Sequence, residues 1–176
     1  MKKSEYLIGT TGHRFLPPDA LSEISAAVNA LYQNKVDEFG GANITVLSSV
    51  AEGADTLCAK LALSCGISLV APLPMSAEEY SDDFTGSAAT EFDQLLALAD
   101  KVFIVIPDEQ IPVDPNRGFY YRQAGRYIAK HCDMLLAIWD GIEKNTPDGA
   151  GTWETVKLAR EFGKPVHHIA VAYNRG

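Results

Sequence analysis

Short apolar runs alternate along this chain with longer segments in which apolar residues recur every three or four positions, the signatures of buried strands and amphipathic helices. Residues 6–10 form the first such run. Between residues 19 and 39, Leu21, Ile24, Val28 and Leu31 fall at helical spacing, and Gly40-Gly41 ends the segment. The pattern then predicts a strand over 44–48, a helix over 54–65 stopped by Gly66, and a strand over 67–73 closed by Pro72 and Pro74. Ser76-Ala77-Glu78-Glu79 has the composition of a helix start, whereas 81–86 is polar and predicts a loop. A helix over 87–99 leads into a strand over 101–106. Residues 107–118 hold three prolines without periodicity and predict an exposed loop over the site. A helix over 119–131, a strand over 134–139, a polar loop over 140–151, a helix over 152–162 and a strand over 165–170 complete the pattern.

Six strands alternate with helices, and the strand centres are nearly unbroken Val, Ile, Leu and Ala. Strands that apolar are covered on both faces, which predicts an α/β fold: a Rossmann-like three-layer α/β/α arrangement with a mainly parallel sheet of about six strands. The 176 residues form one expected domain, 1–176, with no repeat or linker. A hydrophobic fraction of 47% and a charged fraction of 22% are ordinary for a globular chain. No apolar run reaches the roughly 18 residues that span a bilayer, and the apolar stretch after Met1-Lys2-Lys3-Ser4-Glu5 is too short for a signal-peptide core. Cys58, Cys65 and Cys132 are an odd number without a C-x-x-C pair, which suits reduced thiols and a cytoplasmic location. The net charge of −8 argues against duplex nucleic acid as a partner, because phosphate backbones are met by basic faces. A small phosphorylated ligand is still admissible, since amide groups and one or two arginines hold it locally.

In open parallel sheets ligands bind beyond the carboxyl ends of the strands, where strand order reverses. The first strand leads into Gly9-Thr10-Thr11-Gly12-His13-Arg14, with glycines for close approach, hydroxyls, and an arginine suited to bidentate phosphate contact. It is not a G-x-G-x-x-G fingerprint, so dinucleotide binding of the ordinary kind gains no support. The second strand leads into Ser48-Ser49-Val50-Ala51-Glu52-Gly53-Ala54-Asp55, in which Asp55 is placed either to cap the helix or to accept from a ribose hydroxyl. Asp140-Gly141 follows the fifth strand, and Gly149-Ala150-Gly151-Thr152-Trp153-Glu154 opens the next helix. A helix start of that kind offers free N–H groups and a positive dipole end to an anion, while Glu154 in the first turn also complements the dipole. Tyr121, Arg122 and Arg126 offer phenol and guanidinium groups for stacking and phosphate contact, against the plainer role of a solvated helix face. No residues have metal-ligand spacing, and no cofactor is expected.

The order Thr11-Gly12-His13-Arg14, Ser49-Val50-Ala51-Glu52-Gly53-Ala54-Asp55, Cys132 to Gly141 and Gly149-Ala150-Gly151-Thr152 resembles the SLOG superfamily. These Rossmann-like domains include DNA-processing protein A and the LOG, or "lysine decarboxylase-like", proteins. The resemblance implies a sensor domain for a nucleotide or ADP-ribose-like ligand in bacteria, or alternatively a phosphoribohydrolase that cleaves the N-glycosidic bond of nucleoside 5′-monophosphates. Residues 147–155 echo the LOG pattern P-G-G-x-G-T-x-E-E, with Glu154 at the catalytic glutamate, Asp148 in place of one glycine and Thr155 in place of the second acid. The arginine of the LOG helix falls on Ala124. On this resemblance the ligand-binding set is Gly9, Thr11, Gly12, His13, Arg14, Ser49, Glu52, Gly53, Asp55, Tyr121, Arg122, Asp140, Gly149, Gly151 and Thr152, with Glu154 catalytic only in a hydrolase. The expected partners are a small nucleotide-type ligand and a second copy or an effector protein, without duplex nucleic acid or membrane.

Overall fold

A computed structural model describes residues 5–172. In chain order its elements are β1 (Tyr6–Gly12), α1 (Leu21–Phe39), β2 (Ile44–Leu47), α2 (Ala54–Ser64), β3 (Ser68–Leu73), α3 (Ala77–Ser81) and α4 (Ser87–Leu98). They continue with β4 (Lys101–Ile104), α5 (Arg117–His131), β5 (Met134–Trp139), α6 (Thr152–Glu161) and β6 (Val166–Ala170). The strands form one parallel sheet in the order β4-β3-β2-β1-β5-β6. Strand order therefore reverses between β1 and β5.

The pleat divides each central strand between two cores. On β5, Met134, Leu136 and Ile138 pack with α1, α2 and α4 through Ile24, Val28, Cys58, Ala62 and Phe92. The alternate residues Leu135, Ala137 and Trp139 pack with α5 and α6 through Ile128, Ala129, Val156 and Ala159. All six residues of β5 are buried, which is why its sequence carries no polar alternation. The helices thus cover both faces, and the expected α/β/α architecture is what the chain adopts.

Three elements depart from the sequence pattern. β1 runs two residues past Thr10, because Thr11 and Gly12 pair with Ala137 and Ile138 of β5. The helix start expected at Ser76 is present as the short α3, whose first turn is capped by the Ser76 hydroxyl accepting from the Glu79 amide at 3.2 Å. α5 begins at Arg117 and not at Phe119, because Asn116 caps it by accepting from the Phe119 amide at 2.9 Å. β4, with β3 as its only strand neighbour among the described residues, stops at Ile104 and not at Ile106.

Two glycines let the β1 and β2 turns interlock. A Cβ on Gly12 would lie 2.4 Å from the Ile138 carbonyl oxygen and 2.5 Å from Ala54 Cβ. Gly53, at φ +96°, would place a Cβ 2.1 Å from the Arg14 carbonyl oxygen. With both side chains absent, the His13 carbonyl accepts from the Ala54 amide and the His13 amide donates to Ile138, each at 3.0 Å. Replacing Gly12 by alanine forces backbone apart on two sides at once. Gly12→Ala is expected to cost about 1–3 kcal/mol, the range for overpacking. Thermal unfolding followed by circular dichroism should show a fall of about 3–10 °C in Tm.

Candidate functional site

The turns leaving β1 and β2 and the start of α6 meet at the carboxyl edge of the sheet, where they enclose a cleft of about 270 Å³. Thr11, Gly12 and Arg14 reach it from β1, Ser49, Glu52 and Asp55 from the β2–α2 connection, and Gly151 and Thr152 from the start of α6. α5 adds Tyr121, Ala124, Gly125 and Ile128, which repeat at three and four residues and so occupy one helix face. Arg14, Asp55 and Thr152 therefore share a single cleft at the reversal of strand order, the position from which parallel sheets bind ligands. α6 follows Gly151, whose φ −80° and ψ 170° are extended, so the first-turn amides have no helical acceptor and border the cleft.

Asp55 is at the floor. It does not cap α2: Gly53 occupies the cap position, and Asp55 is the second helical residue. One carboxylate oxygen accepts from the Thr10 hydroxyl at 3.2 Å, and the other accepts from the Ala51 amide at 3.4 Å. Burial pushes its pKa up to about 7, against the opposing pull of the Ala51 and Thr10 hydrogen bonds. Near neutral pH this group is consequently divided between an acceptor-only carboxylate and an acid able to donate.

The opposite wall joins the expected Tyr121 to Tyr80, Asp83 and Phe84, which the sequence had not marked. Tyr80 and Phe84 pack edge to face at 5.2 Å, and Tyr121 lies 6.2 Å from Tyr80. Asp83 ties this wall together. Its carboxylate accepts from Arg117 at 2.8 Å and from the Tyr121 hydroxyl, and its carbonyl accepts from Arg14 at 2.5 Å. Arg14 also meets the Glu52 carboxylate at 3.3 Å in an exposed pair. The Tyr121 phenol is raised in pKa by burial and then by Asp83, so it stays protonated and keeps its proton on the Asp83 carboxylate. The α5 spacing 121-124-125-128 was the available sequence signal. The Tyr80–Phe84 wall had none, because its helix is one turn long.

Seven predicted residues lie off the cleft. Gly9 packs under α5, where an added Cβ would meet Ile128 at 2.6 Å. His13 braces the turn: its Nε2 accepts from the Asp140 amide at 3.0 Å, and Asp140 in turn accepts from the Ile142 amide. Gly53 serves the turn contact described above. Arg122 pairs with Glu109 at 3.1 Å and, with Gly149 and Glu154, borders a second cavity. Glu154 accepts from both the amide and the hydroxyl of Thr146, so it closes its own loop. Thr152 and Thr155 share the cleft-facing side of α6, while Glu154, about 200° round the helix from Thr152, faces away. The 107–116 loop likewise contributes Glu109 to the second cavity and nothing to the main cleft. Cys58 and Cys132 are buried free thiols, and among the described residues no cluster could hold a metal ion and no helix is long and apolar enough to cross a membrane.

A carboxyl whose folded pKa is raised binds a proton that the unfolded chain has already released. Its stabilising contribution is complete below pH 3.8, falls as pH rises, and is lost above about 7. Asp55→Asn removes this loss. The variant should therefore gain in Tm relative to the parent between pH 5 and pH 8, by about 3 °C or more, the change that ~1 kcal/mol makes in a chain of this size. A Tm difference that is constant across that range would exclude the raised pKa.

No family model matches the sequence, and no curated protein matches it. Solved structures do match the fold. DNA processing protein A from Streptococcus pneumoniae superposes with a TM-score of 0.63 at 20% identity, over 96% of this chain and 51% of that one. The same protein from Helicobacter pylori gives 0.62 at 16% identity, over 97% of this chain and 68% of that one. The chain spans about half the length of the S. pneumoniae protein. The H. pylori structure is described by its single-stranded DNA binding mode. That finding corrects the partner expectation, which set duplex nucleic acid aside on net charge and named no single-stranded partner. Single strands are held by a local groove and base stacking, so the charge of the whole chain does not decide the matter. At these identities the likeness establishes the architecture, and this chain has the Rossmann-like fold seen in DNA processing protein A.

Proposed function

We propose that the cleft binds a nucleotide unit, with its phosphate on the first-turn amides of α6 at Gly151 and Thr152. The observation that carries this is the convergence of Arg14, Asp55 and Thr152 on one cavity at the strand-order reversal. The helix start supplies oriented N–H groups and the positive end of the dipole. Arg14 is within reach, because its exposed pairing with Glu52 costs little to exchange for a phosphate. Asp55 and Thr11 face the sugar position, and the wall of Tyr80, Phe84 and Tyr121 offers aromatic surface to a base.

The size of the cleft limits the ligand. At about 270 Å³ it lies just below the usual range for ligand pockets, roughly 300–1,000 Å³. That favours one nucleotide over an ADP-ribose-like molecule with two ribose rings. A phosphoribohydrolase is less favoured, since Glu154 is engaged with Thr146 and turned from the cleft. The fold of the H. pylori protein favours a second form of the same reading, in which the nucleotide belongs to a single DNA strand.

Thr152 is the first residue of α6, where proline is tolerated, and the extended backbone of Gly151 suits a following proline. Thr152→Pro thus deletes one amide donor without breaking the helix, and Thr152→Ala controls for the hydroxyl. In calorimetric titration with nucleoside monophosphates, Thr152→Pro should bind at least tenfold more weakly than Thr152→Ala, and Arg14→Ala should also lose about tenfold. Equal affinities for the two Thr152 variants would remove the phosphate from α6. No binding of any mononucleotide or short deoxyoligonucleotide by the parent would remove the function.

A further inference from the structure

β4 is an outer strand of the sheet, paired only with β3 among the described residues. The Asp100 amide donates to the Leu69 carbonyl at 2.8 Å, so alternation along the strand turns the backbone groups of Lys101 and Phe103 away from β3. Side chains alternate as well. Val102 and Ile104 stand beside Ala71 and Leu73, on the sheet face that α4 packs. Phe103 meets Tyr127 of α5 on the other face, with ring centres 5.3 Å apart. Natural edge strands are blunted by charge, proline or cover. β4 carries one charge, Lys101, and its ammonium folds over the Phe103 ring at 5.0 Å, away from the Val102 row. That row is left uncovered. Val102 and Ile104 are exposed, together with Leu98 at the end of α4 and Ile106 beyond the strand, which is 87% exposed. They are four of the nine large hydrophobic residues exposed among those described, gathered within the nine positions 98–106.

An exposed apolar row beside outward-facing backbone is a template for strand addition. The strand's own charge pattern selects the occupant. A parallel addition would present a fresh edge and continue without limit, whereas an antiparallel twofold pair closes on itself. A twofold register centred on Lys101 sets like charges directly opposite, which is destabilising. One centred on Phe103 places Lys101 opposite Val105, whose amide is already committed to the Leu73 carbonyl at 2.9 Å. The register centred on Val102 has neither fault. Lys101 of each copy falls opposite Phe103 of the other, and both pairs can exchange their outward N–H and C=O groups. Val102 then lies against its own copy, and Asp100 falls opposite Ile104, so no like charges are opposed.

We propose that β4 is the interface between two copies of this chain, paired antiparallel about Val102 into one sheet with six strands from each copy. Residues 97–106 number fewer than the roughly 20–30 a side of a standard interface, which makes the pair a weak, micromolar one. The proposal is independent of the nucleotide reading, because β4 contributes no residue to the main cleft.

The test is sedimentation velocity of the full chain from about 1 to 100 µM. The parent should pass from monomer to dimer and no further. Val102→Lys and Val102→Glu, at an exposed position, should each keep the parent's circular dichroism spectrum. Each should weaken dimerisation by at least about tenfold, because like charges then face each other across the axis. An equimolar mixture of the two should dimerise again, with opposite charges in register. Lys101→Pro removes an outward amide at the first position of the strand, where proline is tolerated, and should weaken the pair by a similar factor. A parent that stays monomeric at the highest concentration, or that grows beyond a dimer, overturns the proposal. A dimer undiminished in the Val102 variants or in Lys101→Pro overturns it by moving the interface elsewhere. A mixture that stays monomeric overturns the register about Val102.

Discussion

The backbone ladder between β1 and β5, from Ile8 opposite Met134 to Gly12 opposite Ile138, is the contact on which the candidate site depends. It is the seam where the sheet changes direction of growth, with β2, β3 and β4 added on one side and β6 on the other. Consecutive crossovers leave the seam on opposite faces, which opens a crevice between them at the carboxyl ends. Gly12 closes the last rung with no side chain between Ile138 and Ala54. Any Cβ there would separate the β1 turn from α2, and with it Arg14 from Asp55. The same interlock presents the His13 carbonyl to the Ala54 amide, so the turn and the helix start are positioned as one unit.

An acidic chain can build the proposed anion site because the relevant charges are local. Arg14 and Arg117 are gathered around Asp83, and α6 adds amides that carry no formal charge. The raised pKa of Asp55 reduces the negative charge at the cleft floor near neutral pH. Burial is the dominant cause, which ties that property to the packing of the cleft and not to a neighbouring acid. Val50, a buried β-branched residue at φ +56°, shows that the β2–α2 connection is bent against its own preference beside this floor. Such outliers persist where surrounding structure over-determines them.

Much of the site was legible along the chain. The loops rich in glycine and hydroxyls after strands one and two and before the last helix are the ones that meet, since parallel topology brings every strand's carboxyl end to the same edge. The helix phases decided the rest. Tyr121 reaches the cleft and Arg122, one residue and about 100° further round, does not. Glu154 matched a family pattern by position, yet its azimuth and the Thr146 contacts turn it away. Asp83, Arg117 and Arg14 are distant in sequence, and no periodicity marks side chains that meet only when three separate loops are packed.

By itself the sequence determined the alternation of strand and helix, the parallel sheet and the edge at which polar loops collect. These follow from burial on two faces and from spacing within single segments, both local properties. Only the tertiary structure decided which loop residues face inward, that Asp55 carries a raised pKa, and that Arg122 and Glu154 border a cavity of their own. Those outcomes depend on the rotation of each helix against its neighbours and on desolvation by residues far away in the chain, which a linear pattern does not encode.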